Sequence, residues 1–343
     1  MEKVLFLSHT DANGALSPVS RQALGAAVSL TKSLGGATLT VGLWGETVQA
    51  AADSVAGCGA TFLGVVGTDF DVPRYASDAA AAEALVRKSG ATIVVAPATT
   101  RLSRSMPGVA VRVGGRIETH VAAFGVDGEK VHIKRWYYRQ RLQATMSRTL
   151  RPWCLLIDAG VFDGWSGAVG TAPVECLAVS LTEGSKRTRV EGVLAATASA
   201  QTIRPDAELL LVAGAGWTKK QGDGQAHVKD AEQLILGFLE RSKASLGGSK
   251  SLVDLSGEGR EVLSFMTHMN QVGQTGSSPR HRKGLSTCCH GEEPHAVGWR
   301  FIGERRAINK DPACGWARGK ADVVYVADAF EVMAKVNELL GKG

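Results

Sequence analysis

Apolar and polar positions over the first hundred residues repeat one rhythm: a short apolar run, a small-residue turn, then a longer stretch with apolar residues at helical spacing. VLFLSH (Val4–His9) is short and continuously apolar, which predicts a strand buried on both faces. Ser17 followed by Pro18 reads as an N-cap with proline in the first helical position, so a helix is expected to run to Leu34. TLTVGLWG (Thr38–Gly45) and TFLGVVG (Thr61–Gly67) predict two further strands, separated by a helix over Val48–Ala56. An alanine-rich helix is expected over Ser77–Ser89, and β-branched residues make TIVVAPATT (Thr92–Thr100) a fourth strand. Strands alternating with helices through short loops imply a parallel sheet covered on both faces.

The pattern then changes. From Arg116 to Gly160 apolar residues alternate with a period of two around Asp127-Gly128, predicting hairpins and antiparallel strands added to the sheet. Phe162–Ala172 reads as loop. The strand–helix rhythm returns with ELLLVAGAGW (Glu208–Trp217), a buried strand running into a glycine turn, and an amphipathic helix over Asp230–Ser245. Thr275–His295 is poor in apolar runs and rich in Gly, Ser, Arg and His, so it is expected to be a ligand loop and not core. RAINKD, ADVVYVADAF and Glu331–Leu340 finish as strand, strand and helix. Small and polar residues replace the strand pattern between Val190 and Arg204, which places a domain boundary there. The expected fold class is α/β. It has two doubly wound Rossmann-like domains, residues 1–195 with the added hairpins and residues 196–343.

Composition narrows the function. The chain of 343 residues is 44% hydrophobic and 21% charged, ordinary for a folded protein. Its 39 Lys+Arg against 33 Asp+Glu give a net charge of +6, a mild surplus that favours anionic ligands without requiring nucleic acid. No apolar run is long enough for a membrane span. The N-terminus lacks a signal-peptide or transit pattern, so a cytoplasmic protein is expected. The six cysteines form no CxxC pair. No GxSxG, HExxH, Walker A or paired-carboxylate arrangement is present.

Two segments carry candidate binding chemistry. Gly214, Ala215 and Gly216 follow an apolar strand, where a glycine turn lets backbone N–H groups approach a phosphate; the same pattern also serves as a plain turn. VGQTG (Val272–Gly276) packs backbone freedom, an amide and a hydroxyl into five residues, suited to a polar planar ligand with phosphates or to a structural loop.

GALSP (Gly14–Pro18), APATT (Ala96–Thr100), Pro107, QVGQTG (Gln271–Gly276), INKDP (Ile308–Pro312) and VADAF (Val326–Phe330) resemble the α subunit of electron transfer flavoproteins, the FixB-like family. The resemblance covers nearly the whole chain. It implies a non-covalent FAD in the C-terminal domain and an N-terminal domain without its own nucleotide that packs on a β subunit in a heterodimer. It also implies an electron carrier and not a substrate-converting enzyme. Electrons would come from acyl-CoA dehydrogenase-type flavoenzymes, as in fatty acid β-oxidation, and leave to a quinone oxidoreductase or another redox acceptor.

The cofactor-binding residues implied are Gly214 and Gly216 near the pyrophosphate, Ser249 and the cation Lys250, and the flavin loop Gln271, Gly273, Gln274, Thr275 and Gly276. His290, Gly291 and His295 follow, with Asn309 and Asp322 at the adenosine end. Lys250 and a protonated His295 would stabilise negative charge at the flavin N1–C2=O edge, and Thr275 would donate to N5. The chain departs from the family at Ala215 and Trp217, where Arg and Leu are usual, at His290, where Ser is usual, and in the basic stretch Ser277–His290.

Other readings attach to other residues. Ala215 and the Ser277–His290 stretch favour a flavin-free or weakly flavin-binding paralogue acting as a partner-binding scaffold. Cys288, Cys289, His290, His295 and Cys314 raise a metal site, but the spacing lacks CxxC or HxxxH and favours ordinary thiols. Lys134–Trp153 mixes Lys/Arg with aromatics, as in nucleic-acid binders, and equally fits a hairpin with inward aromatics or a subunit-docking face; no nucleic acid is expected. The RHRK cluster (Arg280–Lys283) reads as a solvated face or an anion contact. A nicotinamide-dependent dehydrogenase needs a complete GxGxxG, which Gly214–Trp217 does not continue.

Overall fold

The computed structural model describes residues 1–128, 130–138, 142–192, 203–204, 207–254, 261–273, 280–288 and 301–342. The chain divides into two compact units, Met1–Val193 and Leu194–Gly343.

The first unit contains strands β1 (Lys3–His9), β2 (Thr38–Gly45), β3 (Thr61–Val66), β4 (Ile93–Pro97), β5 (Arg116–Asp127), β6 (Lys130–Tyr137), β7 (Leu142–Met146), β8 (Trp153–Ile157) and β9 (Val174–Cys176). Its helices are α1 (Pro18–Ser33), α2 (Gln49–Asp53), α3 (Thr68–Asp71), α4 (Tyr75–Ser89) and α5 (Thr100–Arg112). The strands form one sheet in the order β7-β6-β5-β8-β4-β1-β2-β3-β9. β5/β6 and β6/β7 pair antiparallel and the other neighbours pair parallel.

Two cores follow from the strand period. Val4 and Phe6 of β1 join α1 residues Ala23, Leu24, Ala27 and Leu30 on one face. Leu5 and Leu7 join Ala81 and Leu85 of α4 and Leu102 and Met106 of α5 on the other. A strand feeding both cores must be apolar throughout, which is why VLFLSH shows no alternation. α1 starts at the expected cap: the Ser17 hydroxyl accepts from the Ser20 amide at 3.2 Å. The Asp127-Gly128 hairpin forms, with Asp127 opposite Lys130 and Gly128 at φ 59°, the left-handed region glycine tolerates.

One strand bound changes in this unit, and the basic, aromatic run takes its place in the sheet. The strand expected over Thr92–Thr100 ends at Pro97, because the Thr99 hydroxyl accepts from the Leu102 amide at 3.2 Å and starts α5. Trp153, grouped with the basic and aromatic run, is fully buried in the parallel strand β8. The described arginines of that run are paired within the chain: Arg135 and Arg148 with Glu118, and Arg151 with Glu2.

The second unit contains β10 (Leu209–Ala213), α6 (Val228–Ser242), β11 (Ser245–Gly248), α7 (Lys250–Asp254), β12 (Lys283–Thr287), β13 (Glu304–Asn309), α8 (Gly315–Lys320), β14 (Val323–Val326) and α9 (Ala329–Leu340). Its sheet is parallel throughout, in the order β11-β10-β12-β13-β14. Leu211 and Ala213 pack with Ile235 and Phe238 of α6 and Met333 of α9. Leu210 and Val212 pack with Ala307 and Ala317 on the opposite face. The helix expected over Asp230–Ser245 stops at Ser242, because Lys243 turns left-handed at φ 54° and Ser245 opens β11. Both units are thus Rossmann-like α/β layers.

The ligand loop expected over Thr275–His295 is corrected in its described part. Lys283–Thr287 is β12, the middle strand of the sheet. Its polar sequence is accommodated because Thr287, fully buried, accepts the indole N–H of buried Trp217 at 2.9 Å.

Candidate functional site

A doubly wound sheet binds ligands at the C-terminal ends of its strands, where the strand order reverses. In the second unit that reversal falls between β10 and β12. Gly214 follows β10 there and opens a 3-10 turn over Ala215–Thr218. The Gly214 amide donates to the Thr287 carbonyl at 2.8 Å, and the Gly216 amide to the Cys288 carbonyl at 3.0 Å. The glycine turn therefore extends the β10–β12 pairing, and these two amides are engaged by backbone.

Ser249 and Gln271 lie at the same edge. Ser249, fully buried after β11, donates its amide to the Ala213 carbonyl at 3.0 Å and accepts from the Leu252 amide at 3.1 Å. Lys250 follows it, exposed, as the first residue of α7. Gln271 is buried and bridges Gly248 in parallel, with the Val272 amide donating to the Gly248 carbonyl at 3.0 Å. Gly273 adopts φ 127°, a conformation that favours glycine. Gln274, Thr275, Gly276, His290, Gly291 and His295 lie outside the described residues.

Asn309 and Asp322, both expected at an adenosine end, lie apart. Asn309 ends β13, and its side-chain oxygen accepts from the Asp311 amide at 2.9 Å, turning the chain out of the strand. Asp322 precedes β14 and so lies at the opposite edge of the sheet. There its carboxylate accepts from the Arg305 amide and guanidinium, each at 2.7 Å. Those hydrogen bonds hold the Asp322 carboxyl below the usual carboxylate range. Asp328, two residues past β14, is the aspartate that reaches the edge shared with Asn309. It caps α9, accepting from the Phe330 amide at 2.7 Å, and pairs with Lys310. Burial alone would raise its carboxyl, yet Lys310 and the cap amides hold it low; the same contact raises Lys310.

The described residues at this edge line a cleft of about 180 Å³. Lys219, Lys220, Lys310, Asn309, Asp328 and Cys288 face it. Three ammonium groups suit an anion, while an amide and a carboxylate suit hydroxyls or ring amines. That donor set fits the adenosine diphosphate half of a dinucleotide. Sequence reasoning did not single out Lys219, Lys220 or Lys310, and it grouped Asp322 with Asn309, whereas Asp328 is the aspartate at Asn309's end of the strands. The legible signal for Asp328 was its position: an aspartate between the end of an apolar strand and the start of a helix.

The matching edge of the first sheet is filled by the chain itself. Arg101 of α5 is paired with the Asp78 carboxylate at 2.7 Å and donates to the carbonyls of Phe70, Asp71 and Val72. The Trp44 indole N–H donates to the same carboxylate at 3.1 Å. Near them the neutral His9 ring, its pKa lowered by burial, donates from Nδ1 to the Thr10 carbonyl at 3.0 Å. Among the described residues no group of three or more His, Cys, Asp or Glu side chains is gathered to hold a metal. None of the described helices is long and apolar enough to cross a membrane.

Two doubly wound units, the second with a polar cleft at the C-terminal ends of its strands, define the class of Rossmann-like α/β proteins. Within that class, a family model for the electron transfer flavoprotein domain matches residues 4–182, slightly over half of the sequence, and the chain belongs to that family. No curated protein matches it significantly.

Proposed function

We propose that this electron transfer flavoprotein family member is an α subunit, binding FAD non-covalently at the C-terminal edge of the second unit's sheet and pairing with a β subunit. Its electrons come from acyl-CoA dehydrogenase-type flavoenzymes and pass to a quinone oxidoreductase or a comparable acceptor. The observation that carries the reading is the cleft where Asn309, Asp328 and three lysines meet, at the same C-terminal strand edge as buried Ser249 and Gln271.

Bound FAD supplies the redox chemistry. The chain supplies position and charge. Asn309 and Asp328 orient the adenosine end through hydrogen bonds, and Lys310 keeps Asp328 ionised. Ser249 and Gln271 fix the backbone on which the flavin loop is mounted. Lys250 provides a cation at the head of α7, which favours negative charge in the ligand.

The second reading, a flavin-free scaffold, is supported by the engagement of the Gly214 and Gly216 amides, which removes two donors from any phosphate. Absorption spectra of the purified full chain, with FAD added and excess removed, separate the two. About one FAD retained per chain supports the carrier. A colourless protein that takes up none supports the scaffold.

A further inference from the structure

Lys219 and Lys220 follow the glycine turn, both exposed and both facing the cleft. Among the described residues, neither ammonium group makes an ion pair or hydrogen bond. Lys310 differs, because Asp328 holds it. That pairing cancels the carboxylate that would otherwise repel an anion. The cleft therefore has three ammonium groups against one carboxylate.

A diphosphate buried against a sheet edge needs donors or cations for its oxygens. At a glycine turn these are ordinarily backbone amides. Here the Gly214, Gly216, Trp217 and Lys219 amides donate to the carbonyls of Thr287, Cys288, Gly214 and Gly216. Ala215, between the two glycines, has a methyl side chain and brings no charge to the turn.

We propose that Lys219 and Lys220, and not the amides of the glycine turn, bind the diphosphate of the dinucleotide. The inference rests on the reading of this edge as the FAD site. Lysines are point charges on flexible stems, so recognition is electrostatic and weakly directional. Affinity then falls as salt screens the exposed ammonium groups.

The test is calorimetric titration of the full chain with FAD, ADP and inorganic pyrophosphate at low and high salt. The Lys219→Ala/Lys220→Ala double variant is expected to bind FAD and ADP about tenfold more weakly at low salt, with a flatter salt dependence. The Lys219→Arg/Lys220→Arg variant retains binding. Lys229→Ala, an exposed lysine on α6, behaves as wild type.

Wild-type affinity and salt slope in the double alanine variant overturn the proposal, and if FAD is still bound the carrier reading stands. Lysine-dependent ADP binding without FAD binding keeps the cationic subsite and removes the carrier. Binding of neither ADP nor FAD by wild type removes both.

Discussion

Asp78 is the buried charge on which the first unit's strand edge depends, and its removal should be severe. Its side chain is 0% exposed and that of Arg101 is 9% exposed. Asp78→Ala strands a nearly buried guanidinium and leaves the indole N–H of buried Trp44 without an acceptor. Breaking a buried pair from one side costs about 3–5 kcal/mol. Arg101 keeps three carbonyl acceptors, which pulls the value toward the lower end. The lost Trp44 bond adds about 1–3 kcal/mol, but the two effects share one carboxylate and do not simply add. The expected loss is about 3–5 kcal/mol, with Asp78→Asn nearer about 1–3 kcal/mol because its amide oxygen still accepts from Trp44. Urea unfolding of the full chain, followed by tryptophan fluorescence, reads this as a midpoint lowered by about 1–2 M. The comparison is Glu83→Ala, which breaks the pair with the 58% exposed Arg87 side chain. An exposed pair of that kind is worth under about 1 kcal/mol. If Asp78→Ala loses no more than Glu83→Ala, the argument from burial is wrong.

Two other outcomes follow from the geometry. Gly25→Ala should destabilise by about 1–3 kcal/mol in urea unfolding, because the new Cβ would stand 2.3 Å from the Asp163 carbonyl oxygen. Helix propensity alone predicts a gain of about 0.8–1 kcal/mol in this position on α1, so a stabilised variant would refute the close approach. His227 and His9 should titrate on opposite sides of 6.5 in NMR of the full chain, because the Asp223 hydrogen bond raises the first and burial lowers the second. His227 then contributes stability that is complete below pH 6.5 and lost as pH rises through its higher folded value. His9 does the reverse: stability is complete above 6.5 and falls as pH drops toward its lower folded value, so shifts in the same direction would contradict both assignments.

Much of the fold was readable because parallel strands announce themselves. β1, β2 and β3 are apolar on both faces, since each feeds two cores, and the helix after β1 starts at a visible cap, Ser17-Pro18. α5 was hidden by its polar start TRLSRS and by Pro107 inside it. Its apolar positions fall on one narrow face, against α4 and the sheet. β12 was hidden because KGLST carries almost no hydrophobic signal; a partner distant in sequence, Trp217, makes Thr287 tolerable in the interior. The site was legible as motifs but not as geometry. Asp322 and Asp328 flank a four-residue strand, about 13 Å of chain at the usual rise, and linear spacing does not say which end faces the cleft. The lysine pair after the glycine turn carried no signal beyond charge, and only the cleft gathers it with Lys310.

The central claim, FAD on the C-terminal edge of the second unit's sheet, is tested most directly by amide hydrogen exchange of the full chain with and without FAD. The account predicts that exchange slows on FAD addition at the ends of β13 and β14, in the peptides carrying Asn309–Asp311 and Ala327–Glu331, and at Lys219–Gln221. The backbone at Asp322 and in β1–β4 stays unchanged. Protection confined to the first unit, or none in either, would contradict it.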